Sequence, residues 1–148
     1  MTEWGRTGKG RIALVTGGGT GIGLAIARAL SAEGYSVVIT GRRAAVLEQA
    51  ATDISGETGN PVKAITCDVG DPDQVAAAFE TVKQDFGRLD LLVNNAGSNV
   101  SPALLEDIPF SEWSSILAAN LTGAFLCTQH AFRIMKDQTP RGGRIINN

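Results

Sequence analysis

The sequence has few of the residues that build disulfide frameworks, metal sites or membrane spans. Only two of its 148 residues are cysteine, Cys67 and Cys127, and they lie too far apart to have the spacing of metal ligands. We therefore predict that both are buried thiols in a reducing compartment and that the chain holds no metal ion. No stretch approaches the ~18 apolar residues that a membrane span requires.

An excess of charge of either sign is also missing. The net charge is −2 at pH 7, which gives no reason to expect nucleic acid or an anionic membrane as a partner. Hydrophobic residues make up 43% and charged residues 19%, so a disordered chain is excluded. Residues 1–10 hold no apolar run and are not typical of a secretory signal. We expect one domain over 1–148, located in the cytoplasm.

Short apolar runs alternate with amphipathic segments along the whole chain. Strands are predicted at 11–16, 36–40, 61–66, 89–93 and 143–147, and helices at 21–33, 44–54, 71–86 and 111–136. The first strand segment is a short apolar run without alternation, which is typical of a strand buried on both faces of a parallel sheet. This order predicts an α/β fold, a doubly wound, Rossmann-like parallel sheet with helices on both faces.

Helical periodicity predicts which side chains face the sheet. The apolar face of the first helix holds Ile22, Ile26, Ala29 and Leu30, and that of the third holds Val75, Phe79, Val82 and Phe86. Asp71 and Pro72 are a typical cap and first-turn pair for the third helix. Trp113 and Phe125, in the long helical segment, are expected in the core or at an interface.

A glycine-rich segment joins the first strand to the first helix. Glycine permits the positive φ of a tight turn and lets the backbone approach a ligand. The N-terminus of the following helix offers free N–H groups and a partial positive charge, which suit a pyrophosphate. The residues predicted to bind it are Thr16, Gly17, Gly19, Thr20, Gly21, Ile22 and Gly23. The alternative is a structural turn without a ligand.

The spacing of these glycines excludes two other phosphate loops. A Walker loop requires Lys directly after its last glycine, but Leu24 follows Gly23. The G-x-G-x-x-G register cannot be placed on any of the glycines. The pattern present is Gly17-x-x-x-Gly21-x-Gly23, preceded by Thr16.

The end of the second strand bears on the choice of dinucleotide. NAD-selective sites place Asp or Glu there to bind the ribose 2′-OH, whereas this chain has Thr40, Gly41, Arg42 and Arg43. Two guanidinium groups suit a 2′-phosphate. We therefore predict NADP(H) rather than NAD(H), with Arg42 as the main contact and Thr40 or Arg43 assisting. The alternative is a pair of solvated arginines, although a positive charge is unfavourable at a helix N-terminus.

Three further segments carry polar residues at the edge where the strands end or inside the long helix. They are Cys67-Asp68-Val69, Asn94-Asn95-Ala96-Gly97, and Asn120 within Ala119-Asn120-Leu121-Thr122-Gly123. Asp68 can accept a hydrogen bond from an adenine amino group or form a turn before Asp71. The small residues of 94–97 suit close contact with a ribose, but the asparagines can instead pin neighbouring loops. Asn120 interrupts an apolar stretch and needs a hydrogen-bond partner.

Together, these four motifs resemble those of the short-chain dehydrogenase/reductase family, including its 3-oxoacyl-carrier-protein-reductase-like members. The resemblance covers the whole chain. It implies that Asp68 and Val69 border the adenine, that Asn95, Ala96 and Gly97 line the cofactor site, and that Asn120 is a catalytic residue. In the family this Asn holds a helix kink and a water linked to a catalytic Lys. The resemblance also implies hydride transfer to or from a small carbonyl or alcohol substrate, and a homodimer or homotetramer assembled partly through the long helix.

The remaining catalytic groups of that family, a Ser and a Tyr-x-x-x-Lys pair, have no counterpart in these residues. The single tyrosine, Tyr35, precedes the second strand and has Ile39 four residues later. We therefore expect the sheet to be truncated after its fifth strand, as the incomplete amino-terminal part of an NADP(H)-dependent enzyme of the EC 1.1.1 type. The 148 residues alone are predicted to be inactive. The alternative is a catalytically inactive nucleotide-binding or interaction module.

Overall fold

The computed structural model describes residues 8–148, so most of the N-terminal segment 1–10 lies outside the described residues. The predicted alternation of strands and helices is confirmed. The elements are β1 (Ile12–Thr16), α1 (Gly21–Ala32), β2 (Ser36–Gly41), α2 (Ala44–Thr58), β3 (Val62–Thr66), α3 (Pro72–Phe86), β4 (Leu91–Asn94), a 3-10 turn (Leu105–Asp107), α4 (Phe110–Leu117), a π-helical segment (Ala118–Thr122), α5 (Gly123–Asp137) and β5 (Arg144–Asn147). None of the helices in the described part is both long and apolar enough to cross a membrane.

The strands of residues 8–148 form one parallel sheet in the order β3-β2-β1-β4-β5. β1 is central and pairs with β2 through Thr16 and Thr40, and with β4 through Val15 and Val93. The chain winds outward from β1 in one direction and then from β4 in the other. The loops that follow β1 and β4 therefore diverge and leave a crevice at the carboxyl edge of the sheet. The predicted doubly wound fold is confirmed.

Alternate side chains of the strands enter two cores, one on each face of the sheet. Leu14 and Val38 pack with α3 and α5, whereas Val15 and Ile39 pack with α1 and α2. Both faces of the sheet are apolar because helices cover both of them, as the apolar run of the first strand segment predicted. The two cysteines are buried free thiols in the first of these cores, as expected.

The ends of the helices follow local signals where such signals exist. Asp71 caps α3 by accepting hydrogen bonds from the Asp73 and Gln74 amides at 3.0 and 3.2 Å. Hydrogen bonds from the Gln74 side chain and amide lower the pKa of Asp71. The prediction that the second helix ends at residue 54 was wrong, because α2 continues to Thr58. The Thr58 hydroxyl lies 2.7 Å from that of Ser31, so a tertiary hydrogen bond holds the polar last turn.

The predicted inner face of the first helix was partly wrong. Ile22 is 64% exposed and Ala29 is also exposed, whereas Gly23, Ala27 and Ser31 are the buried residues of α1. Small side chains let the helix approach the sheet closely, so size decides the buried face here. In α3 the predicted stripe is confirmed, with Val75, Phe79 and Val82 buried and Phe86 partly buried.

The predicted long helical region over 111–136 is confirmed, since helical residues run from Phe110 to Asp137. The helix passes through a π-helical segment at Ala118–Thr122, which divides it into α4 and α5. Trp113 and Phe125 are 51% and 60% exposed, so neither belongs to the core. They stay available for an interface.

Two polar side chains, those of Asp90 and Gln138, form hydrogen bonds just before β4, at the edge of the sheet opposite the crevice. Asp90 accepts hydrogen bonds from the Ile12 amide at 2.8 Å and from Arg88 at 2.6 and 2.9 Å. Gln138 is buried and pairs with Leu89, accepting from its amide at 2.8 Å and donating to its carbonyl at 3.0 Å. Periodicity predicts neither contact, because the partners are not neighbours in an amphipathic pattern.

Candidate functional site

The glycine-rich loop runs from the end of β1 to the start of α1. Gly17 and Gly21 have φ angles of +66° and +56°, which favour glycine over residues with a side chain. The Gly18 amide donates to the Thr40 carbonyl at 3.1 Å and fixes the loop against β2. No side chain among residues 8–148 caps α1, and its first turn has no acidic residue. The helix therefore presents its N-terminus to the crevice in a form that suits an anion.

Close packing explains the last glycine of the motif. A Cβ atom on Gly23 would lie 2.2 Å from the Gly17 carbonyl oxygen and 2.5 Å from Nδ2 of Asn95. Any side chain here would push α1 away from the loop that it supports. Gly23 is thus required by the approach of helix and loop, while Gly17 is required by the turn.

Thr16 and Asn95 join the loop after β1 to the loop after β4. The Thr16 hydroxyl accepts from the Asn95 and Ala96 amides at 3.0 and 2.9 Å. In return, the Asn95 side chain donates to the Thr16 carbonyl at 3.0 Å and to the Gly17 carbonyl at 3.4 Å. The Asn95 side chain therefore serves as a link between loops, which is the structural alternative considered for this motif.

A cleft of about 320 Å³ opens between these loops. Ten of the residues predicted from the sequence line it: Gly17, Gly19, Thr20, Thr40, Arg42, Arg43, Asp68, Val69, Ala96 and Gly97. The other six are not among the lining residues: Thr16, Gly21, Ile22, Gly23, Asn95 and Asn120. The fold thus brings segments from four different β-strand ends to one concave surface.

Several lining residues were not selected from the sequence. They are Gly41, Val46, Leu47, Cys67, Ser98 and Ala119. Val46 and Leu47 lie at the start of α2 and form part of the cleft wall. Gly41 carried a usable signal, because it occupies the end of β2 where an acid selects NAD.

Arg42 and Arg43 give one end of the cleft a positive charge. Both side chains are exposed, and neither forms an ion pair within residues 8–148. They also stand at the N-terminus of α2, where a positive charge is unfavourable without an anion nearby. This end of the cleft can therefore accept an anionic group.

A buried hydroxyl, that of Thr40, and a partly buried carboxylate, that of Asp68, also line the cleft. Thr40 is 2% exposed, and its hydroxyl has no hydrogen-bond partner in the described part of the chain. Asp68 accepts from the Gly70 amide at 2.9 Å through one carboxylate oxygen, so it shapes the turn and also borders the cleft. Burial, aided by the nearby Asp68 and Asp71, raises the pKa of the Cys67 thiol to about 11, so the thiol stays protonated.

Asn120 lies in the π-helical segment, at the edge of the cleft. Its side chain accepts from the Ser98 amide at 2.7 Å and donates to the Ser98 carbonyl at 2.9 Å. This pair of bonds provides the partner that the sequence required, although Asn120 is exposed rather than enclosed in an apolar core. Asn120 therefore ties the distorted helix to the loop after Gly97.

Tyr35 is far from this surface along the sheet. It precedes β2, at the amino edge, and packs against the core beneath α1 and α2. The cleft lies at the carboxyl edge, beyond the other end of β2. Tyr35 therefore cannot supply a proton at the cleft.

Known proteins are similar to this chain in sequence and in fold. Residues 11–148 match the model of the short chain dehydrogenase family. The chain is 42% identical over 139 residues to the NADP-dependent (R)-specific alcohol dehydrogenase of Lentilactobacillus kefiri, which covers 94% of this chain and 54% of that relative. The chain spans about half the length of the curated relatives it matches.

Solved structures agree with the sequence match. L-sorbose reductase from Gluconobacter frateurii, complexed with NADPH and L-sorbose, has a TM-score of 0.90 and 31% identity, covering 97% of this chain and 54% of that one. NAD+-bound xylitol dehydrogenase has a TM-score of 0.88 and 35% identity, covering 95% and 53%. Similar folds thus hold either dinucleotide.

Proposed function

Because this chain belongs to the short chain dehydrogenase family, we propose that its protein is an NADP(H)-dependent oxidoreductase. It transfers hydride between the nicotinamide and a small carbonyl or alcohol substrate in the full-length protein. When bound, the cofactor supplies the atom that gives or takes the hydride, and the protein supplies binding and orientation. Two arginines carry the choice of cofactor: Arg42 and Arg43 form no ion pair within residues 8–148, and they follow a β2 end that has no acid.

The cleft fits a dinucleotide in both charge and shape. We assign the pyrophosphate to the loop of Gly17, Gly19 and Thr20 and to the uncapped start of α1, where Gly21, Ile22 and Gly23 follow. The close approach of α1 to this loop, which a Cβ atom on Gly23 would prevent, supports this assignment. Thr16 acts through the two amides that it holds.

We assign the adenosine half to the opposite part of the cleft. Asp68 and Val69 border the adenine, and Ala96 and Gly97, positioned by Asn95, border its ribose. Arg42 is the main contact to the 2′-phosphate, with Arg43 assisting. The hydroxyl of Thr40, buried without a partner, is a polar group that a bound ligand can satisfy.

Replacing Gly41 by Asp tests the choice of cofactor. A Cβ atom on Gly41 would lie 3.5 Å from Leu47, an ordinary contact, so the cleft admits a side chain here. The new carboxylate repels a 2′-phosphate and accepts a hydrogen bond from a ribose hydroxyl. We expect the ratio of Kd for NADPH to Kd for NADH to rise about 10- to 100-fold, the size of one charge-assisted hydrogen bond.

The matched control is Gly41→Asn, which has nearly the same shape but no charge. We expect a much smaller change in the ratio for Asn than for Asp, measured by calorimetric titration of both nucleotides. An Asp variant that keeps the original NADPH preference would contradict the assignment of Arg42 and its neighbours. Tighter binding of NADH than NADPH by the unmodified protein would contradict the NADP(H) proposal itself.

Asn120 is proposed as a positioning residue for the reaction. Both ends of its amide are already bonded to Ser98, so it acts by holding the π-helical segment and the adjoining loop in place.

The 148 residues are proposed to lack catalytic activity on their own. The Tyr-x-x-x-Lys pair of the family has no counterpart in them. We therefore propose that these residues alone bind NADPH without oxidising it. Loss of NADPH absorbance on adding a carbonyl compound to this 148-residue polypeptide would refute that.

The exposed face of the long helical region supports self-association. Leu121, Phe125 and Phe132 are 65%, 60% and 63% exposed, which is unusual for large apolar side chains on one helix face. We propose that the full-length protein is a homodimer or homotetramer that uses this face. Light scattering of the full-length protein tests this, and a monomer would refute it.

We propose that the protein is located in the cytoplasm, because its buried free thiols fit a reducing compartment.

A further inference from the structure

The π-helical segment rests on the loop that follows β3. Residues 67–71 are named the adenine loop, because the proposed position of the adenine borders them. A Cβ atom on Gly123, directly after the π-helical segment, would lie 2.6 Å from Cγ2 and 2.9 Å from Cβ of Val69. At the start of the segment, a Cβ atom on Gly70 would lie 3.3 Å from the Cβ atom of Ala118. Both ends of the π-helical segment are therefore in close contact with the adenine loop.

The backbone hydrogen bond that closes the π turn joins the same two ends. The Gly123 amide donates to the Ala118 carbonyl, in the i→i+5 pattern of a π-helix. Gly123 is buried, and its neighbour Val69 is only 7% exposed, so neither can shift far without moving the other. The adenine loop thus contacts both partners of the bond that makes this turn wider than an α-helical one.

Asn120 lies within the π-helical segment and is joined to a different loop. Its side chain bonds to the main chain of Ser98 at 2.7 and 2.9 Å. The segment is therefore held by the adenine loop at its two ends and by the loop after β4 in between. Val69 lines the cofactor cleft and also a cavity of about 80 Å³ that Asn120 and Gly123 line. One side chain of the adenine loop thus borders both the cleft and the surroundings of Asn120.

We propose that Gly123 and Val69 are positioning residues for Asn120, and that a ligand bound at the adenine loop steadies the π-helical segment through their contact. Binding at one end of the cleft then contributes to the placement of Asn120 as well as to affinity. The effect on turnover rests on the proposed oxidoreductase function. The coupling itself can be measured without turnover.

Amide hydrogen exchange of the full-length protein tests the coupling, with adenosine 2′,5′-bisphosphate as the ligand. This ligand carries the adenine and the 2′-phosphate but no nicotinamide. We expect it to slow exchange of the Gly123 amide by roughly 5- to 150-fold, the range of ordinary coupling between sites. Val69→Ala removes the atom nearest to Gly123 and adds none, so it should abolish most of this protection at a saturating ligand concentration.

Two outcomes of the exchange experiment would overturn the inference, and they differ in what else they exclude. If the ligand slows exchange in the adenine loop but not at Gly123, the coupling is absent and the proposed function still stands. If the ligand does not bind at all, the proposed NADP(H) site is wrong and the coupling is wrong with it.

Two alanine substitutions test the effect on turnover. Gly123→Ala adds the Cβ atom that meets Val69, whereas Gly56→Ala adds one in α2 that has no neighbour within 4 Å among residues 8–148. Both glycines lie in helices, so alanine favours the helix in each case and only the contact with Val69 distinguishes them. With NADPH and a ketone substrate at saturation, Gly123→Ala should lower kcat about 10- to 100-fold. Gly56→Ala should leave kcat unchanged.

A double-mutant cycle separates positioning of Asn120 from general damage to the structure. In an Asn120→Ala protein, Gly123→Ala should lower kcat little further, because a positioning residue acts only through the residue that it positions. Equal fold-losses in the two backgrounds overturn the inference. If Gly123→Ala does not fold, the exchange measurement on Val69→Ala decides the matter. If no ketone is reduced, the proposed function is overturned, and the exchange result still decides the coupling.

Discussion

Replacing Thr16 by Val should loosen the junction between the two loops that border the cofactor cleft. Thr16 is 2% exposed, and its hydroxyl accepts hydrogen bonds from the Asn95 and Ala96 amides at 3.0 and 2.9 Å. Val fills the same space but has no acceptor. The change therefore leaves two amides without their partner while it preserves the packing around β1.

The size of the effect follows from those two bonds. A buried donor left without a partner costs about 1–3 kcal/mol. Asn95 and Ala96 are only half-buried, which favours the lower half of that range for each amide. We expect Thr16→Val to lower the free energy of unfolding by about 2–4 kcal/mol, a large share of the ~5–15 kcal/mol typical of a domain. Affinity for NADPH should fall as well, because both loops line the cleft.

The assay is urea unfolding of the full-length protein, followed by calorimetric titration with NADPH. Thr16→Ser is the control, because it keeps the acceptor and removes one methyl group, with a loss of about 1 kcal/mol. Equal losses for Val and Ser would refute the reasoning, since they would show that water or a loop shift satisfies the two amides.

Two predictions concern the amino end of β4. Gln138→Leu removes both hydrogen bonds to Leu89 and the donation to the Gly142 carbonyl, and it should lower the free energy of unfolding by about 3 kcal/mol. Equal melting temperatures for the Leu variant and the unmodified protein would contradict this. Burial alone would raise the pKa of Asp90, but the Arg88 hydrogen bonds and the Ile12 amide outweigh it and lower this pKa. Asp90→Asn should therefore destabilise the protein by about 1–2 kcal/mol at pH 7. The pKa of Asp90 is lower in the folded than in the unfolded protein, so the stability difference between the variant and the unmodified protein should shrink as the pH falls below about 4 and vanish below the folded pKa. Urea unfolding measures this difference. A difference that does not change with pH would contradict a contribution from the Asp90 charge.

Local patterns predict much of the fold because the relevant forces are local or periodic. The glycine loop, the cap at Asp71 and the buried strands all follow from residues within a few positions of one another. The face of α1 was missed for a physical reason. Apolar periodicity selects Ile22, but the distance between helix and sheet is set by the small Gly23 and Ala27.

Contacts between distant segments were not predictable in the same way. Asn120 shows that a polar residue in an apolar stretch needs a partner, yet nothing in the sequence identifies Ser98 as that partner. The π-helical segment around it has no signature in the pattern of apolar residues. The cleft itself was anticipated more fully, since the carboxyl ends of parallel strands meet at one edge and carry their motifs with them.

The sheet order also governs how the protein reaches its folded state. β1 pairs with β2 across one helix, but the Ile12 amide and its partner Asp90 at the start of β4 are 78 residues apart. Closing such a long loop costs more chain entropy than forming the local strand–helix–strand units. The cleft does not exist until that closure, because its two walls belong to the two halves. A cofactor bound between the two halves stabilises the folded state by mass action and so opposes their separation.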